Sequence, residues 1–264
     1  MRVKNKVINF LVILVALITI LGLSGLNLAD LLSFREGVVT QDDNNIVPMN
    51  EKYISSKDDK KISFDLYEKE NPVGWLVLSH MMPATKESWS DFAQKFQNLG
   101  YESIAIDLRG HGKSDGGPSG YLNFSDEQHQ ESILDLEAAV NYLINNRGAA
   151  GGKVFLIGAS IGANLSLQYL SEHPEIKKVV LLSAGLNYRG LETEPPVKKL
   201  KEDQEVFFVT SKDDNNNAVE NQKLYAETPQ GVKKDIQIYE IGGHGTDILA
   251  NQPEFLTLIS NFLQ

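Results

Sequence analysis

The sequence predicts a three-layer α/β sandwich built on a mainly parallel central sheet, with no separate lid domain. Three observations predict it. Short apolar runs at residues 74–79, 103–107, 154–157, 178–183, 206–210 and 236–241 have the length and continuity of strands buried on both faces. Segments of helical apolar spacing, at 89–99, 125–146, 161–170, 222–227 and 255–263, fall between and after them. Only about twenty residues separate Ala184 from Glu205, and within them residues 192–196, rich in proline, are not expected to be helical, so a folded lid has no room there.

Composition narrows the function classes. At 264 residues, with 42% hydrophobic and 23% charged residues, the chain suits one large globular domain plus an appendage. A net charge of −10 argues against nucleic acid or an anionic membrane surface as the main partner. The absence of cysteine removes disulfides, thiolate metal sites and thiol nucleophiles together. Its five histidines show neither H-x-x-x-H nor H-E-x-x-H spacing, so no metal and no other cofactor is expected.

Taken in order, Arg2, Lys4 and Lys6 precede an uncharged run over 7–29. As a helix that run is about 34 Å long, enough to cross a hydrocarbon core of about 30 Å. Basic residues before it and Asp30 after it predict the N-terminus inside and the remainder outside. Residues 1–29 are therefore expected to anchor the chain in a membrane. A cleaved signal peptide is the alternative, with Gly22-Leu23-Ser24 as a small-x-small site. Residues 30–51 are polar and read as a stalk, and residues 52–264 as the folded, exported domain. At the start of that domain, 62–67 alternates apolar and polar, the pattern of a half-exposed strand with 53–55 as its partner.

The chemistry gathers in three loops, each following an apolar strand, and parallel strands bring such loops to one edge of the sheet. Gly158-Ala159-Ser160-Ile161-Gly162 has the G-x-S-x-G pattern of a nucleophile elbow and lies between a buried strand and an amphipathic helix. The N-terminal end of that helix points its positive dipole at the place where negative charge would develop. A serine hydroxyl also needs a base to take its proton. The loop after 206–210 offers Asp213 and Asp214, and the loop after 236–241 offers His244 between glycines. The asparagines at 215–217 suggest calcium, but the loop lacks the glycine and terminal glutamate of a calcium-binding loop.

Further motifs are Ser79-His80-Met81-Met82-Pro83 with Trp89, and Asp107-Leu108-Arg109-Gly110-His111-Gly112-Lys113-Ser114. With the elbow, Asp214 and His244, they make residues 60–264 resemble the α/β-hydrolase superfamily, close to its monoglyceride-lipase and serine-aminopeptidase-like members. The resemblance implies the α/β-hydrolase fold, with Ser160 as nucleophile, His244 as general base and Asp214 orienting His244. Asp213 stays open as the acid if the register shifts by one. It implies an oxyanion hole from the backbone N–H groups of Ile161 and Met82. Met81 stands where many relatives have glycine and is expected to wall the substrate pocket.

The implied activity is that of a serine hydrolase, a carboxylesterase or monoacylglycerol-type lipase acting on a small-molecule or lipid-like acyl substrate. A serine peptidase acting on short peptides and a non-catalytic binding protein are the alternatives. His80, His111, Arg109, Lys113 and Ser114 are expected to shape loops, Asp107 to bind backbone groups, and His129 and His173 to face solvent from helices.

Overall fold

The computed structural model describes residues 52–264. The expected anchor at 1–29 and stalk at 30–51 lie outside the described residues. Among the described residues no helix is long and apolar enough to cross a membrane.

The first half of the domain runs β1 (Lys52–Ser55), β2 (Lys61–Tyr67), β3 (Gly74–Ser79), α1 (Ser90–Asn98), β4 (Tyr101–Ile106), α2 (Asp126–Gln130) and α3 (Ile133–Arg147). The second continues with β5 (Val154–Ala159), α4 (Ile161–Glu172), β6 (Lys178–Leu182), β7 (Asn187–Tyr188), β8 (Leu191–Glu192) and α5 (Glu194–Val197). It closes with β9 (Glu205–Ser211), α6 (Asn217–Glu227), β10 (Lys233–Tyr239), α7 (Asp247–Asn251) and α8 (Phe255–Leu263). Eight strands form one sheet in the order β1-β2-β4-β3-β5-β6-β9-β10. The β1–β2 and β2–β4 pairs are antiparallel, and every pair from β4 to β10 is parallel.

A strand sends alternate side chains to opposite faces, and β5 shows what this does at the centre of the sheet. Val154 and Leu156 enter one core, while Phe155, Ile157 and Ala159 enter the other. The first core takes Leu136, Val140 and Leu143 from α3 and Leu165 and Tyr169 from α4. The second takes Phe92 and Phe96 from α1, stacked at 4.3 Å, and Phe255, Ile259 and Leu263 from α8. Apolar residues three and four apart give α1, α3 and α8 one stripe each for the sheet, whereas α4 is buried on nearly all sides. The result is the three-layer α/β sandwich. Between β6 and β9 stand only the β7–β8 hairpin and the one-turn α5, so among the described residues no separate lid covers the strand ends.

Three details depart from the sequence expectations, and one further element forms where none was expected. The helix expected over 125–146 is two helices. At Glu131–Ser132 the backbone stays helical, but i→i+3 bonds such as Leu134 N–H to Glu131 C=O and Asp135 N–H to Ser132 C=O tighten the turn and split α2 from α3. Residues 194–197 are helical despite two prolines, because both fall in the first turn, where a missing N–H breaks no bond. His129 is buried, not solvent-facing: it packs edge-on against Phe124 with ring centroids 5.5 Å apart. The segment 187–192 forms a hairpin whose turn residues Arg189 and Gly190 both have positive φ, as a type I′ turn requires.

Candidate active site

Ser160 sits where β5 ends and α4 begins, at φ 54° and ψ −117°, in a region that costs a non-glycine residue about 1–3 kcal/mol. The surroundings hold it there. Its N–H donates to Leu182 C=O at 2.8 Å, and its own C=O accepts from Ala163 and Asn164 N–H at 2.9 and 3.1 Å. The turn closes only because its flanking residues are glycines. A Cβ on Gly158 would meet Gly162 O at 2.2 Å, and one on Gly162 would meet Ser79 O at 2.4 Å. Strand β3, strand β5 and helix α4 therefore touch backbone to backbone beneath the serine.

The loop after β3 is fixed by His80. This fully buried ring donates from Nδ1 to Met81 C=O at 2.9 Å and accepts Leu108 N–H on Nε2 at 3.0 Å. Burial, with the neighbouring His111 ring, pushes its pKa down to about 3, so it stays neutral in this one tautomer. A trans peptide sets C=O and N–H on opposite sides, so the bond to the Met81 carbonyl turns Met82 N–H away from the His80 ring. Among the described residues nothing occupies the N–H of Met82 or of Ile161. Met81 crosses to the histidine loop: a Cβ on Gly245 would lie 2.6 Å from Met81 Sδ and 3.4 Å from Ala159 Cβ.

Around this loop the remaining motif residues act as supports. Asp107 accepts Lys86 N–H at 2.8 Å and Lys113 N–H at 3.0 Å, and Ser114 Oγ donates to Asp107 C=O at 2.6 Å. Arg109 is clamped between Asp135 and Asp58. The His111 ring lies between His80 and Tyr121, at centroid distances of 4.8 and 4.2 Å. His173, half-buried at the end of α4, stacks on Tyr169 at 3.8 Å.

The acidic and histidine loops follow neighbouring parallel strands, β9 and β10, and the two adjacent aspartates divide the work. Asp213 Oδ1 accepts Gly242 and Gly243 N–H at 3.0 and 3.2 Å, tying loop to loop through the backbone. Asp214 Oδ2 meets His244 Nδ1 at 2.7 Å. That bond puts the imidazole proton on Nδ1 and leaves Nε2 as the acceptor, the form a general base needs. Gly245 N–H is held by Ser183 Oγ at 2.9 Å, which docks the histidine loop on the end of β6. A cavity of about 410 Å³ opens beside the imidazole, lined by Tyr188, Asp214, Asn215, Asn216, Asn217, Glu220 and His244. Among the described residues no group of three or more histidine and carboxylate side chains is placed to hold a metal.

Two side chains at this site escape sequence reasoning. Tyr188, on the β7–β8 hairpin, has its hydroxyl beside the Ser160 side chain and its ring perpendicular to His244 at 6.3 Å. Asn217 donates from Nδ2 to that hydroxyl at 2.8 Å. The local sequence offers Arg189-Gly190 as a turn, which marks a hairpin but not where its side chains land.

Residues 70–235 match the model of the family Hydrolase_4, the serine aminopeptidases S33. The chain belongs to this family. The match includes Ser160 and Asp214 and ends before His244. Solved structures align with this Hydrolase_4 chain across most of its length. An esterase of Pyrococcus furiosus is 20% identical with a TM-score of 0.68, covering 81% of this chain and 90% of its own. The α/β hydrolase GrgF of a Penicillium species is 15% identical with a TM-score of 0.67, covering 81% and 96%. A dienelactone hydrolase of Anabaena variabilis is 16% identical with a TM-score of 0.60, covering 80% and 94%. The multifunctional-autoprocessing repeats-in-toxin protein of Vibrio cholerae is 29% identical over 101 residues, which is 38% of this chain and 2% of that protein. Its Vibrio vulnificus counterpart is 29% identical over 83 residues, which is 31% and 1%. The chain thus spans a very small part of the curated relatives it matches. This Hydrolase_4 member is an α/β hydrolase.

Proposed function

We propose that this α/β hydrolase is a serine carboxylic-ester hydrolase working by acyl transfer, with Ser160 as nucleophile, His244 as general base and Asp214 orienting the imidazole. The observation that carries this reading is the 2.7 Å bond between Asp214 and His244, on the same edge of the sheet as the strained Ser160. In the proposed reaction His244 Nε2 takes the Ser160 proton as Oγ attacks the ester carbonyl. The developing oxyanion is received by the unoccupied N–H groups of Ile161 and Met82, each worth about 3 kcal/mol of transition-state stabilisation. His244 then protonates the leaving oxygen, and water, activated by the same imidazole, releases the acid.

The acyl group belongs to a small or lipid-like carboxylic acid, with Met81 as one wall of its pocket. The apolar run over 7–29 supports a domain held outside a membrane, close to acyl lipids. Serine aminopeptidase, the description of the family, favours peptides as the second reading. A fluorophosphonate probe tests the proposal. Labelling that disappears in Ser160→Ala is expected, and undiminished labelling of that variant refutes the reading. Initial rates on p-nitrophenyl esters of graded chain length against aminoacyl anilides separate ester from peptide chemistry. Retention of the intact chain in salt-washed membranes tests the anchor; a shortened soluble form means signal cleavage.

A further inference from the structure

The sheet order sets two loops on opposite flanks of Ser160. Strand β5 lies between β3 and β6; Met82 follows β3, and Tyr188 follows β6. An oxygen bound by the Met82 and Ile161 N–H groups therefore sits on one flank, and the Tyr188 hydroxyl approaches from the other, the flank of His244.

That hydroxyl is held from behind. Asn217 Oδ1 accepts from Thr210 Oγ1 at 2.9 Å and from Asn221 Nδ2 at 2.8 Å, so the Asn217 amide presents its Nδ2 to Tyr188. The tyrosine ring lies on Gly185, where a Cβ would come within 2.4 Å of Cζ. A phenol has one proton and two lone pairs. Asn217 takes one lone pair, and Ser160 lies within reach of the hydroxyl. The proton goes to Ser183 C=O over 3.3 Å, a long bond readily exchanged for a better acceptor. Burial, reinforced by the carboxylates of Asp214 and Glu220, raises the pKa of Tyr188, so the phenol keeps its proton at neutral pH.

We propose that Tyr188 is a catalytic hydrogen-bond donor on the leaving-group side, its hydroxyl turning from Ser183 C=O to the departing oxygen as Ser160 is acylated. The inference rests on the serine-hydrolase reading. In the step, the Ser160 proton passes to His244 Nε2 while the Oγ–C bond forms. The bond from carbon to the leaving oxygen then breaks, and that oxygen takes the proton from His244. Tyr188 keeps its own proton throughout and only stabilises charge on the oxygen that leaves. The cavity beside Tyr188 and His244 receives the departing alcohol.

The test is Tyr188→Phe, which keeps the ring packed on Gly185. Asn217 Nδ2 keeps Ala184 C=O at 3.2 Å, so no buried donor is orphaned and the thermal midpoint should stay near that of the wild type. Butyrate esters of p-nitrophenol and of a simple alkanol are compared by kcat/KM, which reports acylation for both. A leaving alkoxide of high basicity needs the donor and nitrophenolate does not. The alkyl ester should lose about tenfold to a hundredfold, and the p-nitrophenyl ester less than about threefold. Equal losses on both esters mean a structural role and overturn the proposal, as does an unchanged alkyl-ester rate. Ser160→Ala run in parallel separates the two ideas: if it still turns over, the serine-hydrolase reading itself fails. If it is dead while Tyr188→Phe shows no leaving-group dependence, only the tyrosine proposal fails.

Discussion

Asp214 Oδ2 lies 2.7 Å from His244 Nδ1, while its neighbour Asp213 faces away and binds the backbone N–H groups of Gly242 and Gly243. One residue of register thus separates a carboxylate bonded to an imidazole from one that staples two loops. Asp214→Asn should lower kcat by about 10⁴-fold with little effect on KM, because an amide no longer selects the Nδ1–H tautomer. Asp213→Asn should keep activity within a few-fold, because its exposed carboxylate meets only backbone N–H groups of the histidine loop. Steady-state kinetics on one ester substrate checks both, and the reverse pattern would move the acid to Asp213.

The elbow tolerates no methyl group at Gly162. A Cβ there would meet Ser79 O at 2.4 Å and His80 O at 2.8 Å, both rigid backbone atoms. Gly162→Ala should cost more than about 2 kcal/mol and abolish probe labelling, since relief requires moving the loop that carries Met82. Gly152→Ala, with nothing within 4 Å of the new methyl, is the control and should leave the urea midpoint unchanged.

Arg109 joins the loop after β4 to α3 and to the β1–β2 turn. It bonds Asp135, which is fully buried, and Asp58, which is about one-third exposed. Arg109→Met strands the Asp135 carboxylate inside the protein and should destabilise by about 3–5 kcal/mol. Asp58→Asn breaks only the rim of the pair and should cost less than about 1 kcal/mol. Urea unfolding of the two variants measures the contrast, and equal losses would refute it.

Stability should fall with acid in two stages. Burial holds His80 near pKa 3 and lowers His111 and His129 as well, whereas the unfolded chain titrates them near 6.5. At these three sites the unfolded state binds more protons below pH 6.5, so each neutral histidine removes up to about 1.4 kcal/mol per pH unit. The Asp135 carboxyl, pushed up to about 6 by burial, offsets part of that loss below pH 6. Hydrogen bonds from Arg109 hold Asp58 at about 2, and the bonds from Lys86 and Thr85 overcome the burial of Glu87 to hold it at about 2. The stability these carboxylates contribute is complete above their unfolded values and is lost as pH falls toward 2. Denaturant midpoints between pH 7.5 and 3 measure both stages; a midpoint flat from 7 to 5 contradicts the first.

Much of the architecture was legible because its signals are local. Continuous apolar runs such as 154–157 and 206–210 reveal doubly covered strands, since burial on both faces leaves no place for a polar residue. Element ends were less legible. The long helix over 125–146 reads as continuous by periodicity, but a tightened turn at Glu131–Ser132 divides it, and its neighbour Asp135 is engaged by Arg109 from the loop after β4. His129 looked exposed because polar residues surround it in sequence; its burial comes from Phe124 and the folded 107–125 loop.

By itself the sequence determined the layered α/β architecture, the strained glycine-flanked serine, and the strand-following loops that hold candidate acid and base. Each of these depends on residues a few positions apart. Tertiary structure alone decided which aspartate reaches His244, which way Met82 N–H points, and that Tyr188 stands beside Ser160. Those outcomes turn on contacts between segments 25 or more residues apart, where a rotation of one peptide or one turn exchanges partners and leaves no trace in local pattern.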